Sequence, residues 1–276
     1  MSNQSTTQPP RPTPSTSAPV STSASLRRTV ASEVVKLRTL RSNVWLLVAA
    51  TLFTVFLGPV QSLGQVLAGP GDTDSSAVVS LALAGTSTAT LLLGVLGVLF
   101  VAGEYAPRAI RTTFMLVPRR PHVVVGKAAA LGLVTAVTGL VAVGIAVTVS
   151  LAMFSQADVA VGWGSPHVLR VSAATVWYLV GWVVLGQVAG WVTRSKLGGA
   201  ALLIGVMLVL APVLGLIPGR PGEILVALMP SSAGAAMIST QHATAFGAPA
   251  VGLLLWTGYV VVFSCLAAWF VSRRDA

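Results

Sequence analysis

The segment Val98-Leu99-Phe100-Val101-Ala102-Gly103-Glu104-Tyr105-Ala106-Pro107-Arg108-Ala109-Ile110-Arg111-Thr112-Thr113-Phe114-Met115-Leu116-Val117-Pro118-Arg119-Arg120-Pro121-His122-Val123-Val124-Val125-Gly126-Lys127 sets a short polar stretch between two long apolar runs. The stretch carries one glutamate and four arginines. Elsewhere the interior of the chain is apolar and nearly free of charge, so this is the one internal loop with much chemistry to offer a water-soluble partner.

The flanking runs decide the fold class. Of 276 residues, 54% are hydrophobic and 9% charged, and the mean hydropathy is +0.84. A soluble domain carries about 25% charged residues. The shortfall leaves too few charges for a water-facing surface. Several runs reach the roughly 20 residues that cross a bilayer as a helix. They do not alternate as barrel strands do, so the backbone must satisfy itself within helices. The expectation is an all-α polytopic membrane protein.

Six spans are predicted, at about 44–63, 78–102, 123–153, 170–193, 197–217 and 251–271. Gly58-Pro59 is expected to kink or end the first, with Trp45 at its interfacial edge. In the second, the hydroxyls of Thr86, Ser87, Thr88 and Thr90 can bond carbonyls of the preceding turn. Ala128, Gly132 and Ala136 in the third, and Gly186 and Gly190 in the fourth, have the spacing of close helix contacts. Pro212 and Gly215 predict a bend in the fifth. Between the fifth and sixth, 222–229 and a second piece through Ile238, with Ser231 and Ser232 as its cap, read as two short helices of an outer re-entrant hairpin. The single cysteine, Cys265, reads as a small buried hydrophobe.

Residues 1–23 are Ser, Thr, Pro and Gln with no periodicity, the composition of a disordered tail rather than a signal peptide. In 24–42, Leu26, Val30, Val34, Leu37 and Leu40 share a helical face. Arg27, Arg28, Lys36, Arg38 and Arg41 fall largely on the rest of the circumference. This predicts an amphipathic helix in the membrane interface. The alternative, a helix packed on a soluble domain, lacks an evident soluble domain. The rest, 43–276, forms the transmembrane domain.

Counting charge by side places fifteen of the seventeen basic residues on one face of the membrane, leaving Arg170 and Arg220 on the other. The positive-inside rule then puts both termini in the cytoplasm. Topology and anionic lipid account for the net charge of +10, so no nucleic-acid partner is needed. The histidines, His122, His167 and His242, fall in three separate loops and form no shared metal site. HExxH, CxxC, GxSxG and the phosphate-binding loop are missing, so neither catalysis nor ATP binding is expected of this chain. Nor does an acidic residue sit near a span's midplane, which disfavours ion-coupled transport.

Within the polar stretch, Gly103 can end the second span and Pro107 suits a first helical turn. Glu104 lies near that helix's positive end. Arg108, Arg111 and Thr112 share one face, and Ile110, Phe114 and Val117 another. Pro118 and Pro121 close it. A short amphipathic helix between spans two and three is predicted. A plain basic turn with snorkelling arginines explains the arginines but not Glu104, Tyr105 or the helix stops.

Gly103-Glu104-Tyr105, Ile110-Arg111-Thr112-Thr113, Pro118-Arg119-Arg120 and Lys127 resemble the cytosolic coupling loop of type-2 ABC transporter permeases, especially those of high-GC Gram-positive bacteria. Ser32-Glu33 through Lys36-Leu37-Arg38-Thr39-Leu40-Arg41-Ser42 is similar to that family's interface helix. The family usually has glycine and threonine before Ile-Arg, where this chain has Arg108 and Ala109.

The resemblance implies a permease subunit in a bacterial plasma membrane. It would pair with a second permease copy as a homodimer or a close heterodimer. A separate cytosolic P-loop subunit, holding ATP and Mg, would power export. Glu104 would anchor the loop to the interface helix through Arg38 or Arg41. Tyr105, Arg108, Arg111, Thr112 and Thr113 would serve the coupling loop, and Glu33, Lys36, Arg38 and Arg41 the interface helix. The alternatives are a membrane scaffold or sensor docking a cytosolic regulator, and an ion-coupled transporter.

Overall fold

A computed structural model describes residues 22–69, 71, 73–105, 120–240 and 248–273. These are helical almost throughout, with no strand among the described residues. The helices are α1 (Thr22–Thr39), α2 (Arg41–Ala68), α3 (Ser75–Ala82), α4 (Thr86–Tyr105), α5 (Arg120–Gln156), α6 (Val168–Thr193), α7 (Lys196–Ile204), a π-helical turn (Gly205–Val209), α8 (Leu210–Gly215), α9 (Arg220–Ala227), α10 (Pro230–Ile238) and α11 (Pro249–Arg273). Six of the resulting segments are long and apolar enough to cross a membrane: 41–68, 75–105, 123–156, 168–193, 196–215 and 249–273. The bundle is thus compatible with a multi-pass membrane protein. Its outer surface agrees, because α2 alone exposes Trp45, Phe53, Phe56, Val60 and Leu67, and large apolar side chains exposed together mark an interaction or membrane surface.

The predicted spans appear with shifted ends. The helix α2 continues through Gly58-Pro59 instead of ending there. Gly58 has another use. A Cβ on it would lie 1.8 Å from the Ala82 carbonyl oxygen, so α2 passes in backbone contact with the end of α3. Gly85 does the same against the Phe53 carbonyl. The second span is broken at residues 83–85. Asp74 starts α3 by accepting the Ala77 N–H at 2.9 Å, and Thr86 and Thr90 return their hydroxyls to the Leu83 and Ser87 carbonyls. The irregularity expected at Pro212 falls earlier, in the π turn 205–209. Pro212 has no N–H for the Leu208 carbonyl, so regular helical bonding fails in the turn before it.

At the centre α4 packs along α6. A Cβ on Gly186 would lie 2.0 Å from the Gly94 oxygen, and one on Gly97 2.1 Å from the Val183 oxygen. Gly190 meets Val98 and Val101. Lipid tails are as apolar as leucine, so helix association in a membrane rests on such close packing and on polar contacts. Around this pair stand α2, α5, α7 and α11. Wholly buried Ser62 and Ser150 share a 2.9 Å hydrogen bond between α2 and α5.

The ends of α4, α6 and α11 meet the start of α5 in one cluster of Val101, Val123, Trp191 and Val271. The connection 157–167 and α8–α10 therefore lie at the opposite end. There α9 and α10 meet at 72°. Pro230 opens α10 rather than closing α9, and neither Ser231 nor Ser232 is its cap. The far end of α10 is capped from outside: the Arg170 guanidinium donates to the Met237 and Ser239 carbonyls at 3.1 and 2.7 Å.

Cys265 is exposed, contrary to the sequence reading. Its helix α11 turns most of its circumference outward, so an apolar side chain there need not be inside.

Gly186→Val is expected to cost at least the ~1–3 kcal/mol of ordinary overpacking, because it strikes backbone. Gly144→Val, in open space, should leave the melting temperature of detergent-purified protein unchanged. Equal melting of the two variants would refute the α4–α6 contact.

Candidate functional site

Four charged side chains from three helices meet at the end of the bundle where α4 stops and α5 starts. Lys127 of α5 is wholly buried, and its Nζ lies 2.6 Å from Glu33 Oε2 and 2.8 Å from Glu104 Oε1. Lys36 completes the cluster, 2.8 Å from Glu33 Oε1 and 3.2 Å from Glu104 Oε1. Glu33 and Lys36 sit one turn apart on α1, and Glu104 is the penultimate residue of α4. Two positive and two negative charges cancel, which is what a buried group of ions requires.

Local sequence explains how they converge. Gly126 lets α1 cross the start of α5, since a Cβ there would lie 2.7 Å from Thr29 Cγ2. Beneath the Lys127 ammonium is the Phe100 ring, its centroid 4.5 Å away, a cation–π contact. Gln187 of α6, also buried, donates Nε2–H to the Lys127 carbonyl at 3.1 Å. The fourth helix is thereby joined to the site.

The burial of Lys36 is partial. Desolvation opposes its charge, but hydrogen bonds and attraction from Glu33 and Glu104 outweigh this and raise its pKa above the ordinary lysine value. Its contribution to stability is therefore complete at neutral pH and is lost only as pH rises through that raised value. Glu104 keeps one oxygen, Oε2, buried without a hydrogen-bond partner among the described residues.

Several expectations are corrected. Glu104 does not reach Arg38 or Arg41; both arginines are exposed, and Lys36 and Lys127 take their place. The buried face of α1 carries Glu33 and Leu37, while Leu40 is half exposed. The helix ends at Thr39, so Leu40 leaves the periodic face. The α4 helix does not end at Gly103 but continues to Tyr105. Tyr105 packs edge-on against Trp191, ring centroids 6.2 Å apart, under the Arg194 guanidinium. Arg108, Arg111, Thr112 and Thr113, the predicted helix around them, and the tail 1–21 lie outside the described residues.

Lys127 and Gln187 are the residues whose role sequence reading missed. The signal was present. Lys127 stands inside an apolar run, after Val123-Val124-Val125-Gly126. Gln187 is the one amide within the fourth apolar run. Neither a family model nor a curated protein matches the chain.

Lys127→Met leaves the two carboxylates sharing Lys36 alone, with one negative charge uncompensated, and is expected to cost about 3–5 kcal/mol. Lys36→Gln, at the exposed edge, should cost about 1 kcal/mol or less. Thermal melting of the tagged protein in detergent reads both, and similar small shifts would show that the cluster does not hold the helices together.

Proposed function

We propose that this chain is the membrane-spanning permease subunit of an ATP-driven exporter, with hydrolysis carried out by a separate P-loop subunit that holds ATP and Mg. The resemblance of 103–127 to a coupling loop supports this. The observation that carries it is the tethering of that loop's flanks. Glu104, just before the segment 106–119, and Lys127, just after it, bond to each other and to Glu33 and Lys36 of α1. A push on the segment by a docked partner is delivered to α1, α4 and α5 together, not absorbed by a loose loop.

In this reading Arg108, Arg111, Thr112 and Thr113 face the ATPase, and α1 lies in the membrane interface with Arg38 and Arg41 toward anionic lipid. Both termini are cytoplasmic by the charge count, in a bacterial plasma membrane. The bent pair α9–α10 is a re-entrant hairpin on the outer side, held by Arg170 and by the Tyr259 hydroxyl, which donates to the Leu228 carbonyl. A second permease copy completes the translocation path. This chain itself catalyses nothing.

The test is gentle purification of the tagged chain from its host. A nucleotide-binding subunit should co-elute stoichiometrically. Replacing Arg108 and Arg111 together with glutamate should release it while the chain stays inserted. A clean eluate in several detergents would sink the proposal.

A further inference from the structure

Two adjoining cavities form a groove along one side of the bundle. One, of about 440 Å³, lies between α6, α10 and α11. The other, of about 680 Å³, lies between α5, α6 and α11. Ala173 and Trp177 line both, so the two adjoin, and Trp177 donates Nε1–H to Thr257 Oγ1 at 3.1 Å between Leu253 and Val260. The walls are apolar, with Leu253 at one end and Val260 and Val261 further along. From Arg170 to Val184 the groove follows α6 for roughly 21 Å at 1.5 Å per residue. That is most of the ~30 Å hydrocarbon thickness of a bilayer.

Its polar end is Arg170. Two of the guanidinium N–H groups cap α10 through the Met237 and Ser239 carbonyls. Those carbonyls are dipoles, not counter-charges, and Arg170 forms no salt bridge among the described residues. A full positive charge with donors to spare thus stands at the mouth of an apolar groove of membrane length. The complement to that shape is an anion with a long hydrocarbon tail. A helix from a second copy would fill the apolar length and leave the charge unanswered.

We infer that this groove binds one anionic phospholipid, its phosphate on Arg170 and an acyl chain laid along α6 and α11. The inference is independent of the transport reading. It places the lipid headgroup at the end of the bundle opposite the Lys127 cluster, while the acyl groove reaches Ala128 beside that cluster.

The full chain in nanodiscs of equal phosphatidylglycerol and phosphatidylcholine, examined by native mass spectrometry, tests it. Wild type should retain phosphatidylglycerol with about fivefold preference, the factor of one basic residue at an anionic surface. Arg170→Gln should abolish the preference. Because that variant also uncaps α10, Ala173→Phe serves as the second. It plugs the junction of the two cavities without touching the cap, and should remove retention of both lipids. Equal retention of the two lipids by wild type overturns the inference, as does retention unaffected by Ala173→Phe. So does oxidative cross-linking of two copies through Cys265, which lines the same groove, since a second copy would then occupy it.

Discussion

A lysine ammonium with no contact with water cannot stay charged unless carboxylates reach it. In this protein that requirement joins three helices, because the two carboxylates that reach Lys127 come from α1 and α4. Breaking such a cluster leaves a buried charge uncompensated, which costs far more than the intact cluster contributes over an apolar substitute. Its value is therefore one of geometry: it admits one arrangement of α1, α4 and α5 and penalises others. The Gln187 bond to the Lys127 backbone extends that restriction to α6.

The α4–α6 seam works by a different physical means toward the same end. At Gly97 and Gly186 the backbones of α4 and α6 are in direct contact, with no side chains between them to adjust. At the far end Arg170 fastens α10 to α6, and Gly252 brings α11 into backbone contact with α10. The bundle therefore has a closely packed central pair and a polar fastening at each end.

Helix identity was legible because a membrane-spanning segment must be both long and apolar, and those are properties of consecutive residues. All six predicted spans correspond to long apolar helices. The boundaries moved where a tertiary contact outweighed a local signal. At Gly58-Pro59 close packing on Ala82 continues the helix, and at residues 83–85 a break was invisible because its residues are ordinary for a span. The face of α1 was misread for a related reason: apolar periodicity ranks Leu40 above Glu33, but Glu33 is the residue with partners inside.

What the sequence by itself determined is the class of architecture: hydrophobic length, the lack of charge within the runs, the basic bias of one set of loops and the polar stretch after Gly103. Each of these is local. Only the tertiary structure decided that Glu104 pairs with Lys36 and Lys127 rather than Arg38 or Arg41, that Cys265 faces outward, and that Arg170 caps α10 beside an apolar groove. Those outcomes depend on which faces meet across long stretches of chain, 94 residues in the Lys127–Glu33 contact and 67 in the Arg170–Met237 contact. Pairing at that separation is selected by packing and charge compensation in three dimensions, and spacing along the chain carries no record of it.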